Sequence, residues 1–391
     1  MIREVVAVIS SAKKLTYAAL SAVVLVLAAC GGAEDTSGDP EPPDAAAEAD
    51  GGDSDPEAEA YFDGKTITLL VPFSAGGGTD LRARLLAEHL QQHIPGEPQV
   101  VVENVTGGGG ALGMNEVALG EPDGMTLGIT SPSIPLRWIR GAEGHDYDLA
   151  TMNVHGAFTD TCMYYISTAY KEAAGIETLA DLPDAPQAAR MGYTDAAGGL
   201  PILQNILADM IGAPMQAIAG YAGSSEALLG VASGELDGSA LSVSAYLDQV
   251  LPYVEEGEME PLIQCGNAED GDIVPAAGVE DMPTIKDLYE AVGVPMEGAD
   301  WDAVYANVQI QSTLSQMVVS PAGIPDEAKR ALDEGFNAAV TSDAYRQEAI
   351  DVLDTDGSPV NAETATGELQ NLVETVTEEI IERWEQAVAQ D

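Results

Sequence analysis

The sequence predicts an α/β protein with two open sheets and flanking helices. Three observations carry that expectation. Apolar, β-branched runs alternate with helical periods between Lys65 and Thr130. The same alternation recurs between about Cys162 and Gln264. The 41 glycines and 22 prolines supply the turns that many short crossovers need. A chain of 391 residues suits two domains of ordinary size, and its 46% hydrophobic content can fill their cores.

The elements follow in order. "KTITLLVPF" (Lys65 to Phe73) reads as a buried strand, and "SAGGGTD" as a glycine loop. "LRARLLAEHLQQHI" has helical spacing at Leu81, Leu85, Leu86 and Leu90, and Pro95-Gly96 ends it. "QVVVENV" is a second strand; Gly107 to Gly110 then lead into a second helix. A turn at Pro122-Asp123-Gly124 precedes a third strand ending in "GITSPSI". This β-α-β-α-β order predicts parallel pairing with right-handed crossovers. The second region reads as strand "ARMGYTD", helix "LPILQNILADMI", strand "MQAIAGYAG", helix "SSEALLGVASGEL" and strand "DGSALSV". Near the C-terminus, Pro325 and two acids open a helix, a favourable start for φ and for the helix dipole. A last helix carries an apolar stripe at Leu369, Leu372, Val373, Val376, Ile380 and Trp384, read as core packing.

The first 60 residues read differently. Arg3, Lys13 and Lys14 precede the apolar run "LTYAALSAVVLVL", too short to span a bilayer comfortably and suited to a signal peptide over 1–29. It ends in "LAAC", which resembles a lipobox, so Cys30 is expected to be the lipidated first residue of the mature chain. Residues 30–60 hold eleven acids and no Lys or Arg, with no apolar period; they are expected to be a disordered acidic tether. Fifteen basic against 65 acidic side chains give a net charge of −50. Such a surface repels nucleic acid and anionic lipid, which excludes both as partners of the folded part. It also suggests a high-salt habitat, where screening relieves self-repulsion. Once Cys30 is set aside, Cys162 and Cys265 are an even pair, either bridged or two buried thiols.

Catalytic patterns are missing. His89 and His93 share a helix face but lack a third ligand or the H-E-x-x-H glutamate, and are read as a solvated face. No C-x-x-C, G-x-S-x-G or P-loop occurs. Gly108, Gly110 and Gly113 spell G-x-G-x-x-G, but no acid follows about twenty residues on, and the motif follows the second strand rather than the first. A dinucleotide site is therefore rejected.

Several segments, taken in order, make the chain resemble the extracytoplasmic solute receptors of tripartite tricarboxylate transporters, the Bug receptors. They are "ITLLVPFSAGGGTDLRARLLAEHL", "VVVENVTGGGGALG", "GEPDGMTLGITSPS", "IAGYAGSSEALLGVASGELDGSALS", "VEDMPTIKDL" and "VVSPAGIPDEAKRAL". The resemblance implies a two-lobed periplasmic-binding-protein fold of the type II, Venus-flytrap kind. Each lobe would be an open, mostly parallel sheet, and two strands would cross between lobes as a hinge. Lobe 1 would comprise 61–161 plus 267–391, and lobe 2 162–266. The implied protein is not an enzyme and uses no cofactor or metal. It would be a monomer held to the membrane through Cys30, handing a small carboxylate to membrane permease subunits. A sensor of the same fold is the alternative reading, and an exported enzyme a third.

Elementary chemistry agrees with a carboxylate. Glycine loops feeding helix N-termini offer backbone N–H donors and the positive end of the dipole. Such loops stand at Ser74–Asp80 and Thr194–Gly199. By resemblance, Phe73, Ser74, Ala75, Gly76, Gly77, Thr79 and Asp80 form the first-lobe grip; Thr79 could equally cap its helix, and Asp80 could cap or pair with Arg84. Ser131 and Ser133 end the third strand. Thr194, Ala197, Gly198 and Gly199 match the second-lobe loop, although "TDAAGGLP" departs from the family pattern. Tyr221 stands in a turn where Ala222 replaces the family lysine. Arg82 and Arg84 read as surface ion pairs. In this fold Cys162 and Cys265 fall on the two crossing strands, so a bridge there would pin the hinge.

Overall fold

A computed structural model of the chain describes residues 61–269, 271–353, 355 and 357–389. The expected signal peptide, the lipidation at Cys30 and the acidic tether lie outside the described residues.

The first sheet starts with β1 (Thr66–Val71), paired in parallel with β2 (Gln99–Asn104) and β3 (Thr126–Ile129). Ile67, Leu69 and Val71 of β1 are fully buried because helices cover both faces of this central strand. β2 is an edge strand, and its valine run alternates between part-buried and exposed. Helices α1 (Gly78–His93), α2 (Ala111–Ala118) and α3 (Ser133–Ile139) make the crossovers and their continuation. The chain then forms β4 (Asn153–Phe158) and passes directly into β5 (Cys162–Ser167), the first strand of a second sheet.

That second sheet adds β6 (Ala189–Tyr193), β7 (Met215–Ala219), β8 (Gly238–Ser242) and β9 (Met259–Gln264), in the order β7-β6-β8-β5-β9. Its helices are α4 (Thr168–Ala174), α5 (Gly199–Ile211), α6 (Ser224–Ala232) and α7 (Leu251–Glu256). A small hairpin, β10 (Asn267–Glu269) and β11 (Asp272–Val274), and helices α8 (Ile285–Val292) and α9 (Gly298–Thr313) follow. β12 (Gln316–Ser320) returns to the first sheet, then α10 (Asp326–Thr341), α11 (Asp343–Leu353) and β13 (Pro359–Asn361). The first sheet has the order β13-β4-β12-β3-β1-β2. Helices α12 (Ala362–Thr375) and α13 (Glu378–Val388) end the chain.

Both sheets are mixed rather than mostly parallel in their pairing. β1 to β4 share a direction, but β12 runs against them and lies between β3 and β4. β5 does the same between β8 and β9. These are the strands on which the chain arrives in each sheet after leaving the other. Their arrival from the opposite side sets their direction.

The expected last helix is two. Thr377 caps α13 by accepting the Ile380 N–H, and this breaks the stripe; Leu369, Leu372, Ile380 and Trp384 are buried, whereas Val373 is exposed. α13 and α9 pack against α5, so the terminal helices support the second sheet's layer as well. Trp384 Nε1 donates to the Ala303 carbonyl at 3.0 Å, and Asn205 Nδ2 to Ala387 at 2.9 Å. Cys162 and Cys265 are bridged with Cα atoms 5.1 Å apart, joining the start of β5 to the end of β9. Among the described residues, no helix is long and apolar enough to cross a membrane.

Candidate functional site

A cleft of about 500 Å³ opens where the ends of the two sheets face one another. Its walls are the loops leaving the carboxyl ends of parallel strands, the usual place for ligands in open α/β sheets. From the first sheet come Phe73–Asp80 after β1, Gly109 after β2 and Ser131–Ser133 after β3. From the second come Tyr193–Asp195 and Gly198–Pro201 after β6, and Ala222–Ala227 after β7. Asp160 and Thr161 on the β4–β5 crossing complete it, with Ser315 and Gln316 at the start of β12. Helices α1, α5 and α6 therefore all begin at the cleft, each leaving the N–H groups of its first turn without intrahelical acceptors.

Each of these loops is shaped by its own carboxylate. Asp80 accepts the Gly76 N–H at 2.8 Å, Arg84 through both oxygens at 2.9 Å, and Asn104 Nδ2 at 2.8 Å. Burial opposes its ionisation, but the donors from Arg84, Gly76 and Asn104 outweigh it and hold its pKa below the usual carboxylate range. Glu226 repeats the motif in the second half of the site, accepting the N–H of Ala222, also four residues earlier. Asp195 accepts the Ala197 N–H at 3.1 Å and faces Arg137 at 3.3 Å.

Close approaches fix the loops. A Cβ at Gly199 would lie 2.3 Å from Gln311 Nε2, so a larger residue there would displace the Gln311 amide where α5 starts against α9 and Asn307 Nδ2 donates to the Gly199 carbonyl at 3.1 Å. A Cβ at Gly109 would fall 2.5 Å from Asp195 Oδ2. The loop after β2 thus abuts the loop after β6 across the cleft.

Among the described residues no group of His, Cys, Asp and Glu could hold a metal ion. One side-chain chain has the order of a hydrolase triad: Ser320 Oγ is 2.8 Å from His155 Nε2, and His155 Nδ1 is 2.6 Å from Asp333 Oδ1. Ser320 is fully buried and none of the three lines the cleft, so no substrate reaches it. Burial pushes the His155 pKa down, against the pull of Asp333. The group is a polar strut joining β4, β12 and α10.

No family model matches the chain. Among curated relatives, the protein BugT of Bordetella pertussis is 42% identical over 81 residues, a stretch covering 21% of this chain and 24% of BugT. A UPF0065 protein of Cupriavidus necator is 27% identical over 299 residues, covering 73% of this chain and 78% of the relative. The solved structure of the periplasmic binding protein BugD superposes with a TM-score of 0.61 at 19% identity, covering 83% of this chain and 97% of BugD. The chain is thus similar to Bug proteins in sequence over part of its length and to BugD in fold over most of it. Two further structures share the fold. MatC of Rhodopseudomonas palustris with bound malate has a TM-score of 0.60 at 18% identity, covering 83% and 99% of the two chains. An R. palustris protein with adipate has a TM-score of 0.60 at 24% identity, covering 83% and 96%.

In this chain, Phe73, Ser74, Ala75, Gly76, Gly77, Thr79, Asp80, Ser131, Ser133, Thr194, Gly198 and Gly199 line one cleft. Ala197 and Tyr221 do not. The Ala197 carbonyl accepts from Arg140 at 3.0 Å, and Tyr221 packs over Gly230 with its hydroxyl on Glu235. Thr79 is not the α1 cap: Gly77 holds that place, and the Thr79 hydroxyl accepts from Gln316 Nε2 at 3.2 Å. Asp80 does pair with Arg84. Arg82 is buried rather than on the surface, and its guanidinium lies 4.8 Å from the Phe158 ring centroid. His89 is also buried, not solvated, and contacts Glu348 at 2.9 Å.

Sequence reasoning missed Asp160, Ser224, Ser225, Glu226, Gln311 and Gln316. A signal existed for Ser224–Glu226: "GYAGSSE" is again a glycine loop opening a helix. None existed for Asp160 or Gln316, which only the crossing of β4, β5 and β12 brings to the cleft.

Proposed function

We propose that the chain is an extracytoplasmic solute receptor, not an enzyme, that closes on a small carboxylate and delivers it to the membrane permease of a tripartite tricarboxylate-type transporter. The observation that carries this reading is the convergence of three helix N-termini on one cleft of about 500 Å³. Backbone N–H groups and dipole ends attract a carboxylate without cationic side chains. The malate and adipate held by two proteins of the same fold support the ligand class.

The lobes of this reading are 61–161 plus 267–391 and 162–266, with Cys30 as the lipid anchor and 30–60 as the tether. Strand membership supports the division, since β5 to β9 make one sheet and β1 to β4, β12 and β13 the other. The chain would act as a monomer, with ligand selecting the closed arrangement of the lobes.

A thermal-shift screen against dicarboxylates, tricarboxylates, aromatic acids and acidic amino acids tests the reading. A ligand at about 100 times its Kd stabilises by roughly 2.7 kcal/mol, enough to see. A melting point unmoved by every anion would reject it.

A further inference from the structure

The cleft has an unusual charge for a carboxylate site. Four carboxylates line it, from Asp80, Asp160, Asp195 and Glu226, and among the described residues no Lys, Arg or His does. Two of the four are matched from behind the wall, Asp80 by Arg84 and Asp195 by Arg137. Glu226 is exposed at the first turn of α6 and serves its own loop.

Asp160 differs in place and surroundings. It sits on the crossing between β4 and β5, where Oδ1 accepts the Thr161 N–H at 2.8 Å and Oδ2 accepts Ser244 Oγ at 2.5 Å. Gln316 lies beside it: the β4–β12 register pairs Gln316 with Phe158, two residues before Asp160. Gln316 Nε2 donates to Thr79, but its Oε1 is buried with no donor. This end of the cleft therefore offers a carboxylate and an unfilled amide oxygen. A ligand carboxylate placed there would meet acceptors and a like charge. An ammonium carries three donors and the opposite charge.

We propose that Asp160 and Gln316 form an ammonium subsite, so that the ligand is an amino acid or a similar zwitterion rather than a plain dicarboxylate. The ligand's carboxylate goes to the helix N-termini and its ammonium to the crossing. This rests on the carboxylate-receptor reading above and narrows its ligand class. Burial holds the Asp160 pKa above the usual carboxylate range, outweighing Ser244, Arg82 and the Thr161 N–H, and a bound ammonium would pull it back down.

The test is calorimetric titration of the whole chain with matched acids differing only by the amino group: succinate and aspartate, glutarate and glutamate, adipate and 2-aminoadipate. The amino member of at least one pair should bind about tenfold tighter or more. D160N and Q316L should each shrink that ratio several-fold. If D160N does not fold, the wild-type ratio and Q316L still decide. A plain acid that matches or outbinds its amino partner in every binding pair overturns the subsite. So does a D160N variant with an unchanged ratio. If Asp160 instead donated as a neutral acid to a second ligand carboxylate, Asn would replace it and plain diacids would win. If neither these six acids nor the wider screen binds, the receptor reading itself fails, which is a separate result.

Discussion

Asp80 has both oxygens occupied by its own loop and by Arg84, leaving the cleft wall around it set by backbone N–H groups. D80N should keep the shape but lose the charge-assisted bonds. Arg84 is about half exposed, so water takes up part of the loss. We expect D80N to cost about 1–3 kcal/mol of stability in urea melts, and to weaken carboxylate binding as the loop loosens. The sign of the pH dependence follows from the depressed pKa. The unfolded Asp titrates near about 3.9. The folded group titrates lower, so its contribution is complete above that value and fades as pH falls through the folded pKa. The gap between wild type and D80N should thus hold from about pH 5 upward and close in stronger acid. A gap that stays constant through acid would show that the charge is not what stabilises. Ser74 to Asp80 could be read from sequence because a glycine run abuts a strong helical period. Asp160 and Gln316 could not, since each gains its place through partners far along the chain.

At the scale of elements, α3 acts as a brace between the two sheets. Arg137 faces Asp195, and Arg140 donates to both the Ala197 carbonyl at 3.0 Å and Glu385 at 2.9 Å. The Arg140 side chain is 3% exposed, so its bond to Ala197 is largely shielded from water while the half-exposed Glu385 keeps the other end of its pair wet. They tie the loop that opens α5 to α3 and to the terminal helix α13. R140A leaves a part-buried carbonyl without its donor and should cost roughly 1–3 kcal/mol. It should also raise the ligand Kd by freeing the 194–199 loop, measurable by calorimetry beside a denaturant melt. Unchanged affinity with lowered stability would mean that the brace holds the fold but not the grip. The order of strands and helices within each sheet was legible, because period 2 and period 3.6 patterns alternate cleanly. The reversed direction of β5 and β12 was not. A buried strand has the same apolar pattern whichever way it runs, and only its long-range neighbours decide.

For the whole molecule, the charge of −50 sets the terms. The cations of the described residues are largely committed: Arg84, Arg137, Arg140, Lys171, Arg190, Lys286, Lys329 and Arg383 each already hold a carboxylate. With 65 acids against 15 bases, most carboxylates have no such partner and repel one another across the surface. At about 0.01 M salt the screening length is roughly 30 Å, comparable to a lobe, so nearly every acid feels many others; at about 1 M it is roughly 3 Å, and only contacts count. Compactness should therefore depend on salt. We expect the melting temperature to rise steadily from low to molar salt, by similar amounts in NaCl and KCl, because screening does not distinguish the two ions. A rise with only one of them would point to a specific ion site, and a flat profile would mean that hydrophobic burial alone outweighs the repulsion. Melts at pH 5 supply the internal control: protonating part of the acids lowers the net charge, so the salt-dependent gain should shrink there.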